Sequence, residues 1–248
     1  MGPAWGEKRI AVVTGAGRGI GLSTAEALAE AGATVAVLDR DEEAGRSAAG
    51  KIGAGARFFS VDMAEPADIE RCVAEVVAEF GTVDILVNNV GVLSTTTISD
   101  LTEDEWNRVI GINLTSAVFA SKCVIPHMKK AGWGRIVTIS SMAGRMGGLT
   151  TGVAYSVSKA ALLGLTMNLA RNLASENITV NAVAPGPTRT ELFDGFTHEQ
   201  VRRLEDSIPL KRLGKPRNVA DTVVFLASDA AEFITGATVD VNGGSFIG

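Results

Sequence analysis

Short β-branched runs alternate along the chain with longer stretches in which apolar residues recur every three or four positions. The runs lie at 10–14, 34–38, 56–61, 85–88, 135–140, 179–183 and 237–241, and they are rich in β-branched residues. Several, such as IAVV at 10–13 and ILV at 85–87, show no polar alternation, which is how a strand covered on both faces reads. The periodic stretches at 19–31, 42–52, 66–80, 103–130 and 153–175 predict helices. Strand–helix alternation from end to end implies parallel strands joined by right-handed crossovers. No linker, low-complexity tract or repeat divides the sequence, so residues 1–248 are expected to form one doubly wound α/β domain.

Composition narrows the choice of partner. Hydrophobic residues make up 46% of the chain and mean hydropathy is +0.22, enough for a large core and for burial against further copies of the chain. A net charge of −5 and a pI near 5.2 argue against nucleic acid or an anionic membrane, both of which need a basic surface. The N-terminal run leads directly into a glycine-rich turn and lacks a secretory pattern, and no unbroken apolar stretch reaches bilayer length. Cys72 and Cys123 show no metal-ligand spacing, so reduced thiols, a cytoplasmic location and no metal are expected.

Candidate chemistry begins at IAVVTGAGRGIG, residues 10–21, where a buried strand runs into glycines and then a helix pattern. Gly15, Gly19 and Gly21 give a G-x-x-x-G-x-G spacing in place of G-x-G-x-x-G. The physical demand is similar: a tight turn, close backbone approach to a pyrophosphate, and free N–H groups at a helix N-terminus. Asp39 ends the second strand about twenty residues on, where a carboxylate can bond a ribose 2′-hydroxyl and repel a 2′-phosphate. NAD is therefore expected over NADP, although Arg18 and Arg40 could pair with a phosphate.

VAYSVSKAAL, residues 153–162, holds Tyr155, the single tyrosine of the chain, and Lys159 one helical turn later on the same face. A packed tyrosine with a snorkelling lysine is the competing reading. Ser140 and Ser141, however, close a strand at the carboxyl edge of the sheet, where open α/β folds bind ligands. Strand alternation forbids both serines from pointing the same way. TGAGRGIG (14–21), NNVG (88–91), Asn113, Ser141, YSVSK (155–159), PGPTRT (185–190) and the VNGG ending (241–244) together resemble the short-chain dehydrogenase/reductase family over essentially the whole chain.

The resemblance implies a single Rossmann-like domain with a mostly parallel seven-stranded sheet flanked by helices. It implies Tyr155 as acid/base, Ser141 as the hydroxyl that holds the substrate oxygen, Lys159 as the cation on the nicotinamide ribose, and Asn113 behind the lysine in a proton relay. It implies cofactor contacts at Gly15, Arg18, Gly19, Ile20, Gly21, Asp39, Asp62, Met63, Asn89, Gly91, Tyr155, Lys159, Pro185, Gly186, Thr188 and Thr190. Lowering a phenol by about three pKa units takes roughly 4 kcal/mol of preferential phenolate stabilisation. The leading expectation is an NAD-dependent oxidoreductase for a mainly apolar secondary alcohol or ketone. The alternatives are a 3-oxoacyl thioester reductase, most of which prefer NADPH, and a catalytically silent dinucleotide-binding regulator.

Three departures from the commonest family pattern stand out: Val90 for the usual alanine, Thr188 for an aliphatic, and a Ser141–Tyr155 interval one residue longer. Residues 189–210 are expected to form a mobile substrate lid, with Thr197 and Gln200 as a capping box, Gly195 as a hinge, and Leu192, Phe193, Phe196, Val201 and Leu204 as its apolar side. The helix around Tyr155 is apolar on several faces, through Val157, Ala160, Ala161, Leu163, Leu165, Leu169 and Ala170. One face can cover the sheet and another needs a different partner, so a homotetramer is expected.

Overall fold

The computed structural model of the protein describes residues 5, 7–53, 55–148 and 150–248, with the side chain of Leu192 outside that description. Seven strands form one sheet: β1 Ile10–Thr14, β2 Thr34–Asp39, β3 Arg57–Ser60, β4 Ile85–Asn88, β5 Gly134–Ile139, β6 Ile178–Pro185 and β7 Thr238–Val241. Their order is β3-β2-β1-β4-β5-β6-β7, and every pair is parallel. The "mostly parallel" expectation thus becomes fully parallel. The order reverses between β1 and β4, and the crevice outside the carboxyl ends at such a switch point is where these sheets bind ligands.

Alternation along each strand sorts the core into two layers. Ala11 and Val13 of β1 face α1 (Gly19–Glu30), α2 (Glu42–Ile52) and α9 (Pro216–Ala227), through Leu28, Ala48, Val219 and Val223. Val12 faces the opposite layer, with Ile69 and Val73 of α3 (Pro66–Phe80), Val124 of α5 (Ser116–Ala131) and Ala170 of α7 (Val153–Leu173). Burial on both faces is why these strands read as unbroken apolar runs.

The helix expected over 103–130 is compound. It starts as α4 (Glu103–Ile110), widens into a π-helical turn at Gly111–Thr115, and continues as α5. The whole span Glu103–Ala131 is long and apolar enough to cross a membrane by length and composition. Polar residues interrupt it, and Ala117, Ala120, Val124 and Met128 are buried where α5 packs beside the sheet. A further short helix, α6 (Met142–Met146), and α8 (His198–Ser207) complete the set used below.

Candidate active site

At the end of β1 the glycines form a tight turn. Gly15 and Gly19 take positive φ, +63° and +56°, conformations that disfavour a side chain. A Cβ on Gly21 would lie 2.0 Å from the Gly15 carbonyl oxygen, so only glycine lets α1 sit directly on the turn. Asn89 braces this loop from β4: its Nδ2 donates to the Thr14 and Gly15 carbonyls at 2.9 and 3.0 Å. Arg18 occupies the N-cap of α1 with its side chain mostly in solvent, and Ile20 packs against the core.

Asp39 stands at the tip of β2 with both oxygens engaged. The Gly17 N–H donates to Oδ2 at 2.9 Å and the Asp41 N–H donates to Oδ1 at 3.1 Å. Arg40 is exposed, and Arg18 approaches Asp41 at 3.9 Å. Asp62 and Met63 follow β3. Asp62 is exposed and accepts the Ala64 N–H at 2.9 Å, while Met63 is buried.

The two serines at the end of β5 diverge as alternation requires. Ser140 is buried and donates to the Lys159 carbonyl at 2.7 Å. Ser141 caps α6, accepting the Ala143 N–H at 3.1 Å, and its hydroxyl lies close enough to the Tyr155 phenol to lower its pKa. The two serines thus differ in their partners: the Ser140 hydroxyl is spent on the Lys159 carbonyl, and Ser141 lies on the Tyr155 side. Lys159 is buried, donates from Nζ to the Ile139 carbonyl at 2.9 Å, and lies 5.9 Å from the Tyr155 ring centre. Burial pushes its ammonium down to about 8. Burial pushes the Tyr155 phenol up, and the Ser141 hydrogen bond pulls it back. In the protein alone, then, the phenol is held in its acid form and is not lowered toward neutrality.

Gly91 makes room for these groups rather than only for a cofactor: a Cβ there would sit 3.1 Å from Lys159 Nζ and 3.4 Å from Asn113 Oδ1. Asn113 lies within the π-helical turn, fully occupied. Its Oδ1 accepts the Val92 N–H at 2.7 Å, and its Nδ2 donates to the Val92 carbonyl at 3.1 Å and to Ser158 Oγ at 3.0 Å. Single π turns of this kind favour functional sites because they re-aim one residue. Ser158, which ties Asn113 to the Tyr155 carbonyl at 2.7 Å, is absent from the expected set. Its position inside YSVSK was the available signal.

The opposite wall comes from the end of β6. Pro185 closes the strand, and Gly186 packs on the C-terminal turn, where a Cβ would lie 2.7 Å from Asn242 Cβ. Thr188 is buried and donates to the Gly186 carbonyl at 3.0 Å, so its hydroxyl is spent locally. Thr190 Oγ1 is buried without a partner. A cleft of about 560 Å³ runs between Gly19, Leu22, Thr190, Glu191, Phe193 and Lys215, beside the glycine turn and away from Tyr155. Among the departures, Val90 presses on the turn, its Cγ2 lying 3.3 Å from where a Gly15 Cβ would be. Within the longer 141–155 interval Gly147 and Gly148 take positive φ, and the Gly152 N–H donates to the Ser94 carbonyl at 2.7 Å.

The chain has extensive relatives. Residues 15–245 match the family described as Enoyl-(Acyl carrier protein) reductase. The chain is 41% identical over 242 residues to the 3-oxoacyl-[acyl-carrier-protein] reductase FabG of Salmonella typhimurium, covering 97% of this chain and 98% of that one. The FabG of Escherichia coli matches at the same identity and coverage. An uncharacterized oxidoreductase of Thermotoga maritima is 39% identical over 246 residues, covering 96% and 97%. The crystal structure of gox2181 superposes with a TM-score of 0.93 at 33% identity, covering 98% of this chain and 97% of that one. These relatives overturn the expectation of NAD over NADP, since similarity is to 3-oxoacyl reductases, the class associated above with NADPH. The carboxylate that motivated NAD accepts the Gly17 and Asp41 N–H groups, which fix its orientation at the tip of β2.

Proposed function

The chain belongs to the short-chain dehydrogenase/reductase family, and within it we propose that it reduces the ketone of 3-oxoacyl thioesters with NADPH, Tyr155 delivering the proton. Family membership makes it an NAD(P)-dependent enzyme acting on carbonyl and hydroxyl groups. The thioester alternative is better supported than the general secondary-alcohol reading, because 3-oxoacyl reductases align along nearly all of both chains.

The residues present fit a dinucleotide. Gly15, Gly19 and Gly21 leave a cradle that side chains would fill, and the buried Thr190 Oγ1 lacks a partner that a carboxamide would provide. The turn would hold the pyrophosphate, Asp62 and Met63 the adenine, and Lys159 the ribose next to the nicotinamide. Arg18 and Arg40 would meet the 2′-phosphate, and they must outweigh the charge of Asp39 for NADPH to serve. When bound, the dinucleotide supplies the hydride that reduces the ketone carbon.

The observation that carries the reading is the grouping of Ser141 at the start of α6, Tyr155 on α7 and the buried Lys159 one turn on, at the sheet edge. Ser141 Oγ already accepts the Ala143 N–H, so its proton is available to the substrate oxygen. Tyr155, protonated at neutral pH because burial raises it, transfers its Oη proton to that oxygen as the carbon–oxygen double bond is reduced. Desolvation helps here: a reductase needs the acid form of the phenol.

The test separates these roles by residue. Tyr155→Phe should cut turnover by at least about a thousandfold, within the range of acid–base catalysis, while NADPH affinity by fluorescence titration stays within about twofold of wild type. Lys159→Ala should lose both. Turnover surviving in the phenylalanine variant, or undiminished NADPH affinity in the alanine variant, would remove the assignment.

A further inference from the structure

Ser141 opens α6, and α6 is held from two sides. On one side it abuts Lys159 of α7: a Cβ on Gly144 would lie 2.6 Å from the Lys159 carbonyl carbon, and Ser140 bonds the same carbonyl. On the other side Arg145 reaches the C-terminal region. Its Nη2 lies 3.3 Å from Asp240 Oδ2 on β7, with only 25% and 20% of the two side chains exposed. The guanidinium also stacks over the Phe246 ring at 5.1 Å.

Phe246 is itself anchored. Its carbonyl accepts Asn242 Nδ2 at 3.1 Å, and Asn242 packs on Gly186 at the end of β6. An ion pair this far out of water is costly to break on one side, because the remaining charge is left desolvated. We propose that Arg145 is a positioning residue for the reduction: the Asp240–Arg145–Phe246 clamp fixes α6, and α6 fixes the Ser141 hydroxyl against Tyr155. The link is the first turn of α6, since Ser141 Oγ accepts the Ala143 N–H and must move with it. The C-terminal strand and tail thereby hold the substrate-oxygen site in register, although they supply no group to it.

The inference rests on the reading of Tyr155 and Ser141 as the proton-delivery pair, and one property lets it be tested separately. Tyr155 is the only tyrosine, so protein grown with ring-carbon-labelled tyrosine gives a single phenol resonance by NMR. Ser141→Ala sets the position of that resonance without the serine hydroxyl. Arg145→Ala and Asp240→Asn should each move it toward the Ser141→Ala position, and Arg145→Lys should restore it in part. In steady-state assays each variant should lose about tenfold in kcat with NADPH affinity unchanged, and the double variant should be no worse than either single one, as coupled partners behave. Should Arg145→Ala not fold, Arg145→Gln and Asp240→Asn carry the same comparison. A resonance fixed at the wild-type position, or additive losses in kcat, overturns the proposal. Wild-type inactivity on 3-oxoacyl thioesters would overturn the functional reading and leave the resonance test standing.

Discussion

Lys159 and Tyr155 are displaced in opposite directions by the same cause. Burial disfavours the charged form of each, so the ammonium is pushed down to about 8 and the phenol is pushed up. The depressed lysine keeps its charge below that pH and loses it above, whereas the phenol stays protonated across the same range. For ketone reduction, kcat/KM, which reports the free enzyme, should therefore be level below pH about 8 and fall above it. Lys159→Arg, if it binds the dinucleotide, should shift that fall upward or remove it. A wild-type profile that falls on the acid side of neutrality, or stays level far beyond that pH, would contradict the role of the lysine charge. The residue scale also shows what sequence cannot display. Asp39 stands where a ribose-binding acid belongs, but how its oxygens are oriented depends on the Gly17 and Asp41 amides, which only the folded turn brings to it.

Elements were legible in proportion to how strongly one physical signal dominated them. Strands β1, β2 and β4 announced themselves through unbroken apolar runs because both faces are covered. The capping box opening α8 was readable because its bonds are local: Thr197 Oγ1 accepts the Gln200 N–H and Gln200 Oε1 accepts the Thr197 N–H. The π turn was not readable, since GINLT carries nothing a regular helix excludes, and its Asn113 is pinned by the distant Val92. Helix α6 is five residues long, too short for periodicity to register. Helix α9 could have been found from Pro216 and the spacing of Val219, Val223 and Leu226. The expected lid over 189–210 now has a shape to test. Phe193 and Phe196 pair at 5.1 Å between ring centres, α8 contains no buried residue, and Ile208 anchors its far end; Leu192 belongs to the expected apolar side but its side chain lies outside the described residues. Hydrogen exchange should find α8 weakly protected in the free protein and slowed when NADPH and a substrate analogue are bound. Equal protection in both states would make this segment a fixed wall.

At the scale of the whole molecule, Gly15, Asp39, Asn89, Ser141 and Pro185 stand at or just beyond the carboxyl ends of β1, β2, β4, β5 and β6, while apolar surface is left over elsewhere. On α7, Val157 and Met167 are 43% and 59% exposed, and Ala160 and Gly164 lie between them on the same stripe. A helix apolar on both sides needs a second partner, and a closed symmetric assembly provides one without leaving a free face. Light scattering at micromolar concentration should return a homotetramer, and a monomer there would refute that assembly. The activity itself is most directly tested by mixing the purified protein and NADPH with two acyl thioesters of equal length, one carrying a 3-oxo group and the other a conjugated double bond. With Tyr155 and Ser141 in the proposed roles of protonating and holding the substrate oxygen, NADPH should be consumed with the 3-oxo thioester and not with the enoyl thioester. Consumption with the enoyl thioester alone, or with neither, would contradict the proposed reduction.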